Sequence, residues 1–167
     1  MLNLFFLLVF PAAMVLAACL DFFTMTIPNR LTLAFAALFF PAAMLAGLPP
    51  AEIGMHVLAG VTVLVIAFTC FAFGWIGGGD AKFVAATGMW LGWNVLLPYA
   101  LLFSILGGAL TIALLMARRM PLPEVFFRAD WAVRLHDSGS GIPYGIALAI
   151  AGLKIYPTTD WMTVFAG

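Results

Sequence analysis

Two aspartates stand out in a chain that carries very little charge. Asp21 ends the first apolar run, and Asp80 directly follows three consecutive glycines, Gly77, Gly78 and Gly79. A carboxylate at the boundary of a hydrocarbon layer is costly, so acids in such positions are functional candidates by default. Because each aspartate lies beside a glycine or turn signal, the pattern predicts one shared site.

Two neighbouring carboxyl groups in a medium of low dielectric constant have a defined chemistry. They cannot easily both ionise, so one keeps a proton and their titrations become coupled. Such a pair can hold a water molecule, take a proton from it as it attacks a peptide carbonyl, and donate a proton to the developing oxyanion. The structural alternative is that each aspartate caps a helix or pairs with Arg30 or Lys82. Their joint placement favours the catalytic interpretation.

The composition indicates a lipid setting for this site. Hydrophobic residues make up 65% of the 167 residues and charged residues only 8%, whereas a soluble domain carries about 25% charged residues. We therefore predict an all-α polytopic membrane protein with a single integral-membrane domain, residues 1–167. The lipid bilayer is an expected partner and nucleic acid is not, and the sequence leaves the oligomeric state open.

No metal or other cofactor is expected from the residue pattern. Cys19 and Cys70 both lie inside apolar runs and form no CxxC pair, so neither a disulfide framework nor a zinc site is indicated. His56 and His136 are predicted on opposite sides of the membrane, too far apart to share a metal ion.

Six apolar segments divide the chain, and a transmembrane helix needs about 20 residues. They cover residues 4–20, 31–48, 55–76, 83–97, 99–117 and 142–156. The fourth and sixth are short, and each could be extended by flanking residues or begin in a broken helix that protein or water covers. The pattern predicts a bundle of six transmembrane helices.

The basic residues orient this bundle. If the six segments alternate in direction, nearly all of the cations share one side: Arg30, Lys82, Arg118, Arg119, Arg128 and Arg134. Lys154 alone falls near the other side. Cytoplasmic loops carry the excess of Lys and Arg, so that side should be the cytoplasm. Asp21 and Asp80 are then both at the cytoplasmic ends of their helices.

Two further segments lie near the predicted cytoplasmic face, the glycines before Asp80 and residues 121–137. The three glycines before Asp80 lack Cβ atoms, so backbone can approach closely and unusual φ/ψ values are accessible. A flexible loop or a tight helix crossing is the alternative.

In residues 121–137, charges of opposite sign recur at i,i+4 spacing, which favours an amphipathic helix on the cytoplasmic interface.

The sequence resembles the type IV prepilin peptidases, which are GxGD-type intramembrane aspartyl proteases. Three stretches carry the resemblance: Asp21 with Ile27-Pro28-Asn29 downstream, Gly77-Gly78-Gly79-Asp80-Ala81-Lys82, and Ile142-Pro143-Tyr144-Gly145. The resemblance implies that Asp21 and Asp80 are the catalytic pair. It implies cleavage of the basic leader of prepilins or pseudopilins on the cytoplasmic side of the bacterial inner membrane. Residues of the same stretches would shape the site: Gly77, Gly78, Gly79, Pro28, Asn29 and Lys82.

The connection between the first two segments is short in comparison with the larger bacterial members. Those members carry a cytoplasmic insert there, often with paired CxxC motifs, and also N-methylate the new pilin terminus. Here only residues 22–30 separate the segments, so the chain is similar to the compact peptidases of tight-adherence (Flp-type) pilus systems. N-methyltransferase activity is not expected.

Two alternatives to a bacterial prepilin peptidase stay open. Archaeal preflagellin peptidases share the GxGD core, so a related archaeal substrate class fits the same residues. A protein of another class, a small transporter or channel subunit, could use Asp21 and Asp80 to bind a cation or relay protons.

The predicted topology can be tested by cysteine labelling. In a background lacking Cys19 and Cys70, single cysteines near Arg119 or Gly139 should react with a membrane-impermeant thiol reagent only from the cytoplasmic side. A cysteine near Glu52 should react only from outside. The reverse pattern would place both aspartates on the wrong face for a substrate that has not yet been exported.

Overall fold

The computed structural model describes residues 2–166, and within this range the backbone forms helices and turns but no strand. This confirms the all-α class. The α-helices are α1 (Leu2–Thr24), α2 (Asn29–Leu45), α3 (Pro50–Ala72), α4 (Gly78–Leu91), α5 (Trp93–Ala117), α6 (Asp130–His136), α7 (Tyr144–Ile155) and α8 (Asp160–Ala166). Two short 3₁₀ turns cover Glu124–Phe126 and Tyr156–Thr158.

Three of the described helices are long and apolar enough to cross a membrane: α1 and α3 with 23 residues each, and α5 with 25. The chain is therefore a membrane protein. Three shorter helices occupy the remaining predicted segments, α2 with 17 residues, α4 with 14 and α7 with 12. The two segments that were predicted to be short are the two shortest of these, while the count of six spans stays a prediction.

The break between α4 and α5 is not where the sequence placed it. The predicted boundary lay near Pro98, but Pro98 is inside α5 and the helices meet at Gly92. Gly92 has a φ of +68°, in the left-handed region that glycine adopts without steric cost. A Cβ atom at Gly92 would lie 2.7 Å from Cε1 of His56. The boundary was wrong because the turn depends on this close approach of α3.

The shortest of the central helices, α4, lies inside the protein. Ten of its fourteen residues are buried, and it packs against α2, α3, α5 and α7. Its closest neighbour is α3, where Gly60 faces α4: a Cβ there would lie 2.8 Å from the Cβ of Met89. Small residues at a crossing let two helix backbones approach closely. Since protein surrounds α4, its ends can lie below the bundle surface.

An aromatic cluster holds the C-terminal end of α4. Trp90 is fully buried and stacks on Phe35 of α2, with ring centroids 5.3 Å apart. Its Nε1–H donates to the Phe35 carbonyl at 2.9 Å, and Trp161 of α8 donates to the Trp90 carbonyl at 2.7 Å. These contacts tie α4 to α2 and to α8, a helix that the sequence analysis missed.

The segment of residues 121–137 does not form one amphipathic helix. It contains a 3₁₀ turn and then the seven-residue α6. Pro121 and Pro123 fix φ and lack N–H donors, which disfavours a helix through this stretch. Arg134 donates to the Phe23 carbonyl at 2.7 Å and Trp131 packs on Phe22. The segment is therefore docked on the C-terminal end of α1, and the prediction of one amphipathic helix over residues 121–137 was wrong.

Replacing Trp90 tests the role of the aromatic cluster. Trp90→Ala removes a fully buried ring, its stacking on Phe35 and its hydrogen bond to the Phe35 carbonyl, so we expect a loss of about 3 kcal/mol or more in the free energy of unfolding. Trp75, which is 69% exposed, provides the control, and Trp75→Ala should leave stability nearly unchanged. Thermal melts in detergent followed by circular dichroism measure both. Equal melting temperatures for the two variants would contradict the role of the cluster.

Candidate active site

Asp21 lies in the last turn of α1 and is buried, with 4% of its surface exposed. Its Oδ2 accepts a hydrogen bond from the backbone N–H of Gly145 at 2.7 Å. Gly145 is the second residue of α7, and the first N–H groups of a helix have no partner within the helix. The residue before α7, Pro143, makes no side-chain cap. Asp21 therefore caps α7 from another helix.

Gly145 is part of the site because its lack of a side chain leaves room for the carboxyl group of Asp21. A Cβ atom there would lie 2.8 Å from Oδ2 of Asp21 and 2.9 Å from its Cβ, so no other residue fits without displacing the aspartate. The sequence analysis did not place Gly145 among the site residues. Its only signal was the stretch Ile142-Pro143-Tyr144-Gly145, which carried the family resemblance without a role for any one residue.

Asp80 is the third residue of α4, whose N-cap is Gly77. Its Oδ2 turns back to Gly77, where a Cβ would lie only 2.9 Å away. Its Oδ1 is buried and has no hydrogen-bond partner in the described part of the chain. A buried polar atom without a partner is costly, so this oxygen is available to a water molecule or a peptide group.

The structure brings Asp21 and Asp80 to one place. Asp21 accepts a hydrogen bond from Gly145 of α7, and the neighbouring Tyr144 lines the same cavity as Asp80. Each lies at the N-terminal end of a short helix, Asp80 within α4 and Asp21 against α7. The pair thus combines one carboxyl that accepts a strong backbone hydrogen bond with one that keeps a buried oxygen free. This is the arrangement that acid and base chemistry at one water molecule requires.

The glycines before Asp80 act through close packing. A Cβ at Gly79 would lie 3.3 Å from the backbone N and O of Ile27, and one at Gly78 would lie 3.2 Å from the ring of Phe71. Gly77 has an ordinary φ of −71° and the next two glycines are helical. The packing of these glycines corresponds to the alternative of a tight crossing, and their role in leaving space for a substrate stays a prediction. The stretch brings the first turn of α4 against the connection between α1 and α2.

Of the residues that the resemblance placed near the site, Asn29 and Lys82 line a different cavity from Asp80. Pro28 is the exposed N-cap of α2. Lys82 donates to Oδ1 of Asn29 at 3.2 Å, and both line a cavity of about 410 Å³ between α2, α3 and α4. Asp80 lines another cavity, of about 570 Å³, between α3, α4, α5 and α7. Lys82 and Asn29 therefore lie on another side of α4 from the Asp80 cavity.

The remaining candidate ligands are separate from the aspartates. Among residues 2–166, no three His, Cys, Asp or Glu side chains are grouped as metal ligands would be. His56 forms a hydrogen bond through Nδ1 with the Met89 carbonyl at 2.7 Å, so it connects α3 to α4. Cys19 and Cys70 are free thiols.

The fold and the site define a helical membrane protein with one buried aspartate, Asp21, and one half-buried aspartate, Asp80, whose Oδ1 is buried. Residues 8–112, a range that includes both aspartates, match the type IV leader peptidase family. A prepilin leader peptidase/N-methyltransferase of Bacillus subtilis (strain 168) is 33% identical over 127 residues, covering 73% of this chain and 51% of the relative. One of Aeromonas hydrophila is 32% identical over 140 residues, covering 80% and 42%.

The chain therefore belongs to the type IV leader peptidase family, and the predicted family is confirmed. It spans about half the length of these curated relatives, or somewhat less. No solved structure gives a significant match. Gly145, which contacts Asp21, lies beyond the residues that match the family.

Substituting Gly145 tests its contact with Asp21 through the sign of a stability change. Alanine is favoured over glycine in a helix by about 1 kcal/mol, so Gly108→Ala, with open space around it, should raise the melting temperature. Gly145→Ala should lower it, because the new Cβ displaces Asp21 and removes a buried hydrogen bond. Thermal melts in detergent compare the two. A rise in both variants would show that Asp21 and Gly145 are not in contact.

Proposed function

We propose that this chain is an intramembrane aspartyl endopeptidase. It cleaves the N-terminal leader of type IV prepilin-like proteins at the cytoplasmic face of the bacterial inner membrane. The observation that carries the proposal is the pair of Asp21 and Asp80, in which an oxygen of Asp21 accepts a backbone hydrogen bond and a buried oxygen of Asp80 has no partner. Membership of the type IV leader peptidase family supports the class of substrate.

The hydrogen bonds assign different roles to the two carboxyl groups. Oδ2 of Asp21 accepts the N–H of Gly145, as a carboxylate oxygen does, so Asp21 is the base. Oδ1 of Asp80 has no donor facing it, so this oxygen is suited to carry a proton and Asp80 is the acid. Both assignments follow from which oxygen atoms already have hydrogen-bond donors.

The reaction then consumes one water molecule, and both carboxyl groups end in the protonation states in which they began. Asp21 takes a proton from the water as its oxygen bonds to the scissile carbonyl carbon, and Asp80 donates its proton to the carbonyl oxygen. The tetrahedral intermediate collapses, its hydroxyl returns a proton to Asp80, and the C–N bond breaks. The proton on Asp21 passes to the leaving nitrogen, which restores both carboxyl groups.

The position of the cations supports the cytoplasmic face. Arg118 and Arg134 lie at the same end of the bundle as Asp21, where Arg134 donates to the Phe23 carbonyl and Arg118 donates to the carbonyls of Leu135 and Gly141. The positive-inside rule places this end in the cytoplasm. The shorter helices α2, α4 and α7 would complete a bundle of six spans, with the N-termini of α4 and α7 recessed beside the aspartates.

The proposal is restricted to peptidase activity. The named relatives are described as both leader peptidases and N-methyltransferases, but the chain matches only about half of their length. The connection between α1 and α2 consists of residues 25–28. We propose no N-methyltransferase activity for this chain.

Substituting each aspartate tests the proposed catalytic pair. Asp21→Asn and Asp80→Asn keep the size of the side chain but remove its titration, so each should lower cleavage of a type IV prepilin in proteoliposomes at least about a hundredfold. Asp160→Asn is the control, because Asp160 is exposed in the first turn of α8. It should cleave at the wild-type rate.

The outcome separates a peptidase from a transporter. Near-normal cleavage by either asparagine variant of the pair would show that the aspartates are not catalytic. No cleavage by the wild type, together with a proton or cation flux that the same substitutions remove, would favour the transporter or channel interpretation.

A further inference from the structure

The cavity beside Asp80 is a groove between two long helices. Its walls include Ala67 and Cys70 of α3 and Leu97, Ala100 and Phe103 of α5, and its volume is about 570 Å³. We call this cavity the α3–α5 groove. The two helices make few direct contacts with each other, whereas α3 packs along α4. The groove is the space that this arrangement leaves open above α4.

The groove begins at Asp80 and extends along the bundle. Asp80 and Val84, which are one helical turn apart, form its floor with Tyr144 of α7. On α5 its lining residues extend from Trp93 to Ser104. The eleven residue steps from Trp93 to Ser104 correspond to about 17 Å, or three turns. The groove is therefore long enough to hold three turns of another helix.

The mouth of the groove faces outwards from the bundle. Ile66 and Leu97, which both line it, are 60% and 67% exposed. They belong to α3 and α5, two of the helices that are long and apolar enough to cross a membrane. At the depth of the hydrocarbon layer, the mouth is open to lipid and to any apolar helix within the membrane.

Polar groups in the lining already have partners, apart from one. The Ser104 hydroxyl donates to the Ala100 carbonyl at 2.7 Å, and the Tyr144 hydroxyl shares a hydrogen bond with Thr111 at 3.1 Å. Only Asp80 among these lining groups has a buried oxygen without a partner. An occupant should therefore be apolar along its length and polar where it reaches Asp80.

The geometry points to one occupant: an apolar helical segment of the substrate that adjoins the scissile bond. This inference rests on the proposed function. About three turns of the segment lie between α3 and α5, and the chain leaves the helix where it meets Asp80. A peptide group there can bond to the free oxygen of Asp80, which the hydrocarbon chain of a lipid cannot do. The groove thereby selects substrates whose scissile bond is followed or preceded by an apolar stretch.

Filling the groove tests this inference. Ala100→Trp places a large ring in the groove wall, and Ala113→Trp places the same ring on an exposed part of α5 outside it. Two substrates are compared, a full-length type IV prepilin and a short synthetic peptide that contains only its cleavage junction. Ala100→Trp should reduce cleavage of the full-length prepilin at least tenfold and leave cleavage of the short peptide near the wild-type rate. Ala113→Trp should cleave both normally.

Cross-linking through the native cysteines gives a readout that does not depend on cleavage. Cys70 lines the groove, whereas Cys19 is exposed on α1 outside it. A full-length prepilin with a single cysteine in its apolar segment is mixed with the Asp80→Asn variant and a short bifunctional thiol reagent. Mass spectrometry should find the adduct on Cys70. An adduct on Cys19 alone, or none, would overturn the inference.

The outcomes separate failure of the groove from failure of the proposed function. If the wild type cleaves neither substrate, or the Asp80→Asn variant cleaves both, the peptidase assignment is wrong. If the wild type cleaves both and Ala100→Trp cleaves the full-length prepilin at the normal rate, only the groove inference is wrong. An equal loss of cleavage of both substrates by Ala100→Trp would also contradict the groove inference, because a docking groove should affect cleavage of the long substrate selectively.

Discussion

The hydrogen bond from the Gly145 N–H to Asp21 is the interaction on which the site depends. A buried carboxylate needs donors, and the first turn of a helix needs acceptors, so α1 and α7 each satisfy the other. The absence of a side chain at Gly145 makes the bond possible, since a Cβ would lie 2.8 Å from the carboxylate oxygen. The same contact sets the position of α7, whose Tyr144 forms part of the floor beside Asp80.

The buried position of α4 places the second carboxyl. The aromatic cluster around Trp90 holds its C-terminal end, and the approach of Gly79 to Ile27 holds its first turn against the connection between α1 and α2. With both ends held, Asp80 stays inside the protein, where one of its oxygen atoms has no partner. Burial of α4 also divides the surrounding space, so that Lys82 and Asp80 line different cavities.

Agreement between sequence and structure differs among the elements for physical reasons. Each of the six apolar segments corresponds to a helix, because hydrophobicity over many residues is a local property. The boundary near Pro98 was wrong, because the turn at Gly92 is made by its contact with His56, which is distant in sequence. The helix predicted for residues 121–137 is only seven residues long, because Pro121 and Pro123 disfavour a helix through the start of the segment.

The sequence by itself determined the membrane setting, the all-α class and the family, and it predicted Asp21 and Asp80 as the catalytic pair, because composition and short motifs can be read without knowing contacts. Only the tertiary structure decided how these parts meet. In the folded chain, Gly145 is the hydrogen-bond partner of Asp21, and Lys82 and Asn29 line a different cavity from Asp80. A groove also lies between α3 and α5. These features depend on distances between residues far apart in the chain, and packing rather than local pattern sets such distances.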